Sequence, residues 1–76
     1  QDNMNQKHYY KIDVPGRYGY SFMVVSNNEL DETQVLNKAL MHELFDDKKD
    51  ANYAIIDDLI SNYDIENFKN CTYEID

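Results

Sequence analysis

From His8 to Val14 (HYYKIDV) the chain alternates, with Tyr10, Ile12 and Val14 on one side and Tyr9, Lys11 and Asp13 on the other, the period of a half-buried strand. Pro15-Gly16 follows, a pair that supplies the fixed and the positive φ wanted at the two central positions of a type II turn. Residues 18–25 (YGYSFMVV) are aromatic and β-branched, so they are expected to return as the second strand of a hairpin. Gly19, inside that run, has no side chain to pack and marks a bulge or a close backbone approach.

Asn27-Asn28 ends the strand pattern, and a complete helix start follows. Asp31 can cap the first N–H groups, Gln34 can reach back to it, and Leu30 can pack on Val35 as a hydrophobic staple. Val35, Leu36, Ala39, Leu40 and Leu44 recur at helical spacing, leaving Glu32, Lys38 and Glu43 outside, with Lys48 and Lys49 beyond the negative end of the dipole. Ile55, Ile56, Leu59, Ile60 and Tyr63 also follow a helical period, whereas a strand would be interrupted at Asp57-Asp58, so the spacing predicts a second helix from about 50 to 62. Asp64 can cap one further turn through Ile65 and Phe68, and Cys71, Tyr73 and Ile75 then alternate with Thr72, Glu74 and Asp76 as a last strand. The expected fold is α+β, in the order ββααβ: a three-stranded antiparallel sheet with two helices on one face.

At 76 residues this is one domain, residues 8–76, small enough to bury only about 60% of its unfolded surface. Residues 1–7 are set apart as a disordered or cloning-derived lead, because Gln1-Asp2-Asn3 precedes a Met able to start the chain. No window approaches the roughly 20 apolar residues of a membrane span, and the start lacks the basic and apolar regions of a signal peptide, so a cytosolic location is expected. In that setting the sequon Asn70-Cys71-Thr72 is taken as coincidence.

Charge changes the picture more than composition does. The net charge is −8, and residues 29–66 carry all of it: eleven acids (Glu29, Asp31, Glu32, Glu43, Asp46, Asp47, Asp50, Asp57, Asp58, Asp64, Glu66) against Lys38, Lys48 and Lys49. The flanks cancel, so the acidity is regional and can steer a charged partner.

Several chemistries are excluded or disfavoured. The stretch DDKKDANYAIID from Asp46 departs from a calcium loop at its third position (Lys48), its sixth (Ala51, where glycine makes the turn) and its twelfth (Asp57, where a bidentate glutamate closes the site). His42 and Asp46, four apart, are two ligands where a zinc site needs three or four, and His8 is a polar strand-end residue. Cys71, alternating with Tyr73 and Ile75, is expected on the inward face of its strand as a small hydrophobe. With glycine only at 16 and 19 there is no phosphate-cradling loop. Neither catalytic residues nor a cofactor nor a metal is expected, and the chain is read as a non-enzyme. Direct nucleic-acid binding is disfavoured too, because a chain of this charge repels phosphates.

Two functions remain. In one, the acidic residues serve solubility and a Tyr-rich sheet face, with Tyr9 and Tyr18 or Tyr20, makes the protein contact. In the other, Glu29, Asp46, Asp47, Asp50, Asp57, Asp58, Asp64 and Glu66 imitate nucleic acid, with Tyr53 and Tyr63 as anchors. Eight charges match roughly 14 Å of duplex, and a 13-residue helix is about 20 Å long, so the density is comparable. A small, Tyr- and Asn-rich, strongly acidic α+β domain without a catalytic motif resembles the anti-CRISPR proteins, inhibitors encoded by phages and mobile elements. The resemblance is one of size, charge and element order over the whole chain. It implies a basic nucleic-acid-binding protein as partner, a CRISPR effector nuclease or another defence enzyme, inhibited without chemistry.

Overall fold

The computed structural model describes residues 6–76, so the lead expected over 1–7 lies, for residues 1–5, outside the described residues. Strand β1 runs His8–Val14 and β2 Tyr20–Ser26, paired antiparallel from His8 opposite Ser26 to Val14 opposite Tyr20. Tyr10, Ile12 and Val14 are buried, as their alternation demands. The connecting loop differs from the expected type II turn. Gly16 lies at φ +134°, well beyond the roughly +80° of that turn, and the closing bond runs from the Gly19 N–H to the Gly16 carbonyl (3.1 Å). Gly19 is therefore loop and not strand. A Cβ on it would lie 2.5 Å from the Val14 carbonyl oxygen, a close approach that only glycine allows.

Helix α1 spans Glu32–Met41 and begins with the expected capping box: the Gln34 N–H donates to the Asp31 carboxylate, and the Asp31 N–H donates to the Gln34 side chain. It ends sooner than the hydrophobic spacing suggests. Glu43 takes a left-handed φ of 56°, its N–H donates to the Leu40 carbonyl, and the Leu44 N–H donates to that of Ala39. This is a Schellman closure, and it folds Leu44 back onto the core from beyond the helix instead of from a further turn.

The second helix expected over 50–62 is not there. Only a single turn, α2 (Asp50–Tyr53), forms before Ala54 extends and Ile55–Asp57 becomes β3, paired antiparallel with β1. Opposite Ile12, Ile56 packs against the core. A helix would have to leave the outer edge of β1 unpaired, so tertiary pairing overrides the local period. Leu59 (85% exposed) and Tyr63 (75% exposed), counted above in the helical period, face solvent. Helix α3 (Asn62–Asn67) is capped by Ser61, with Asp64 at its third position instead of at the cap. A 3₁₀ turn over Lys69–Cys71 leads into β4 (Thr72–Glu74), and Cys71 is exposed on that turn, not inward on a strand.

The fold is thus α+β, but the sheet is four-stranded and mixed, in the order β3-β1-β2-β4, with β4 parallel to β2. The helices do not share one face. Residues of α1 (Val35, Ala39) join Tyr10, Ile12, Phe22, Val24 and Ile75 in the core on one side. On the other side the α3 segment covers Met23 (0% exposed) and Val25: Phe68 lies under the Lys11 ammonium at 5.4 Å, and Ile65 and Thr72 approach Tyr9 and Val25. Two crossovers produce this, β2 to β3 past one face and β3 to β4 past the other.

Two substitutions test the backbone argument. Gly19→Ala is expected to destabilise by about 2 kcal/mol or more, because its methyl meets fixed backbone. Glu43→Gly is expected to stabilise by about 1 kcal/mol through relief of the left-handed strain. Urea midpoints at neutral pH measure both.

Candidate protein interaction surface

The acidic residues singled out above are distributed among four places. The first is a pair of adjoining hollows at the β3 edge of the sheet. One, of about 410 Å³, is lined by Glu29, Asp58, Tyr10, Leu30, Ile60 and Ile65, with Lys7, His8 and Tyr9 on its remaining wall. Its neighbour, of about 260 Å³, is lined by Asp31, Glu32 and Asp58 over Tyr10, Leu30 and Ile56. The N-cap of α1 brings Asp31 and Glu32 here, and the exit from β3 brings Asp58.

The second place is the loop between α1 and α2. The Tyr20 hydroxyl donates to the Asp50 carboxylate (2.6 Å) and accepts from the Asp46 N–H (2.9 Å), while the Asp47 carboxylate accepts from the Lys49 N–H. Burial first, and then the hydrogen bond to Asp50, push the Tyr20 hydroxyl up to about 12. The third place is the opposite side of β3, where Asp57 shares a hollow with Lys11, Asp13, Ser21 and Ile55, its carboxylate accepting from the Leu59 N–H. Asp57 and Asp58, expected side by side on a helix surface, therefore line different hollows. The fourth is α3, with Asp64 in its capping box and Glu66 paired to Lys69 at 3.0 Å. Tyr53 (66% exposed) and Tyr63 lie exposed on the surface.

The carboxylates thus divide by what they hold. Asp31, Asp47, Asp50, Asp57 and Asp64 accept hydrogen bonds from the chain itself. The side chains of Glu29, Glu32, Asp46 and Asp58 are exposed and hold nothing among the described residues. Asp76 belongs to the first group: the Ser26 hydroxyl, then the Asn27 N–H, hold its carboxyl below the usual carboxylate range. The Glu66–Lys69 pair is the one ion pair among the described residues, and it is largely solvated.

Tyr9 and Tyr20 do not offer an open sheet face. Tyr9 is half-buried beside the α3 segment and the Tyr20 hydroxyl is fully engaged. Sequence reasoning missed Glu32, read only as an outward helix position, and the role of Tyr10. Their link is the approach of the α1 N-terminus to the β3 edge, which no local pattern encodes.

Among the described residues, no three His, Cys, Asp or Glu side chains are grouped to hold a metal ion, and no helix is long and apolar enough to cross a membrane. Comparison with known protein families, with curated proteins and with solved structures gives no match.

Tyr20→Phe tests the coupling beneath the α1–α2 loop. It is expected to destabilise by about 1–2 kcal/mol at neutral pH, through loss of both hydroxyl hydrogen bonds. The hydroxyl pKa is raised on folding, so its contribution is complete below the unfolded value near 10 and is lost as pH rises towards 12. The stability gap between the two proteins should therefore narrow across that window in urea titrations.

Proposed function

We propose that this protein is a non-enzymatic inhibitor that uses its acidic side chains to occupy the basic nucleic-acid-binding site of another protein. The observation that supports it best is that the regional excess is not neutralised by ion pairing among the described residues. Eleven acids face three lysines over residues 29–66, and Glu66 is the one of them in an ion pair among the described residues. Uncompensated carboxylates on a folded surface raise association rates with a positive groove and favour release of the counterions held there. A defence nuclease of the CRISPR type is the target class that the resemblance suggests.

Glu29, Asp46 and Asp58 are the contacts of choice for a test, because none of their carboxylates holds the fold together. With Glu29→Lys, Asp46→Lys and Asp58→Lys combined, capture of the target from a lysate of the source cells should fall by about tenfold or more. Thermal unfolding should change little, since exposed charges contribute only about 0–1 kcal/mol each. Competing duplex DNA and raised salt should both release the captured protein from the unaltered chain. Capture indifferent to DNA, salt and charge reversal would overturn the proposal.

A further inference from the structure

We propose that β4 offers its outer edge to a second copy of this chain, the two strands pairing antiparallel about a two-fold axis at Tyr73 and joining two four-stranded sheets into one. Such pairing is independent of the acidic-surface function above.

The strand order β3-β1-β2-β4 leaves β4 with β2 as its one neighbouring strand. In a parallel ladder, alternate residues turn both backbone groups towards the same neighbour. The Ile75 N–H donates to the Val25 carbonyl (3.2 Å), so Tyr73 and Ile75 face β2, while the Glu74 N–H and the Thr72 carbonyl point out of the sheet. With Tyr73 opposite Tyr73 of the second copy, Thr72 lies opposite Glu74 of that copy. Each outward Glu74 N–H then meets an outward Thr72 carbonyl. Moving the axis to Glu74 would set two glutamates opposite each other, and moving it to Thr72 would require Asn70, inside the 3₁₀ turn, to extend. The register is therefore specified by the edge itself.

Charge selects a second copy as the occupant. Lys69 and Glu74 stand on the same side of the sheet, around a hollow lined by Tyr9, Val25 and Ile65. Two-fold pairing carries the Glu74 carboxylate of each copy past Thr72 towards the Lys69 ammonium of the other. Lys69 pairs with Glu66 at 3.0 Å in a largely solvated contact, and an ammonium has further donors for a second carboxylate. The other edge of the sheet does not have this property. Two β3 edges would bring Asp57 and Asp58 of both copies together, and charges so placed are a means by which sheets avoid pairing.

Tyr73 supplies the apolar contact. It is 42% exposed, and its ring lies edge-on to Phe22 with centroids 6.1 Å apart, so it is held against the core while remaining partly open. At the axis the two tyrosines form a non-hydrogen-bonded pair, the closest side-chain approach in an antiparallel ladder, where aromatic pairs are favourable. The strand is only three residues long, so the interface is small and the dimer reversible, with a Kd of about 100 µM.

Sedimentation velocity of the full chain between about 10 µM and about 1 mM is expected to show monomer passing to dimer and no larger species, because a two-fold contact closes. Glu74→Pro removes an outward N–H and no bond to β2, and should keep the chain monomeric throughout. Lys69→Glu and Glu74→Lys should each weaken self-association by about tenfold, since each reversal acts twice across the axis. An equimolar mixture of these two variants should recover dimers to within about threefold of the unaltered chain, because opposite charges then meet only between different copies. Native mass spectrometry identifies the mixed pair, and this arm decides the matter even if Glu74→Pro does not fold. A chain that stays monomeric at the highest concentration, a dimer that survives Glu74→Pro, or a mixture that recovers nothing would overturn the inference. So would an edge that takes an extended segment of a different protein and never a second copy.

Discussion

The pairing of Ile55–Asp57 with the outer edge of β1 governs the arrangement of everything that follows it in the chain. Once Ile56 lies beside Ile12, the segment is committed to the edge of the sheet farthest from β4. To complete the sheet, the chain has to travel past both β1 and β2. It crosses on the side that α1 leaves bare, and that passage buries Met23 and Val25 under the α3 segment. A domain this small is marginal if one sheet face stays wet, so burial on two faces is a substantial part of its stability.

The same pairing sets the electrostatics. A helix would have displayed Asp57 and Asp58 together, whereas the alternation of a strand separates them. Asp58 is delivered to the N-terminus of α1, already occupied by Asp31 and Glu32, where the positive end of the helix dipole favours carboxylates. Many of the acids serve first as backbone acceptors, at helix starts and tight turns, and only the remainder are available to a partner. A count of charges therefore overstates the surface that can bind, and the internal hydrogen bonds identify which members of the count are free.

The hairpin, the capping box at Asp31 and Gln34, and the inward set Tyr10, Ile12 and Val14 were legible because each is written in residues a few positions apart. The end of α1 was less so. Glu43 is an uncommon occupant of a left-handed position, and a sequence reader expects glycine or asparagine there. The region from Ile55 to Tyr63 misled because two isoleucines, a leucine and another isoleucine satisfy a helical period as well as a strand followed by a loop. What decided between them was Ile12, more than forty positions away. The candidate surface suffered likewise: its acids could be named from charge alone, but their grouping depends on which strand edge the α1 N-terminus approaches.

The parallel strand β4 has a consequence for how the molecule assembles. Its closure joins Ser26 to Asp76, fifty positions apart, while the hairpin beside it closes across a five-residue loop. Chain entropy orders such events by separation, so the hairpin and α1 are expected to form early and the last strand to dock late. Until the α3 segment and β4 are both in place, Met23 and Val25 remain uncovered, and the interval before closure is when self-association competes most strongly with folding.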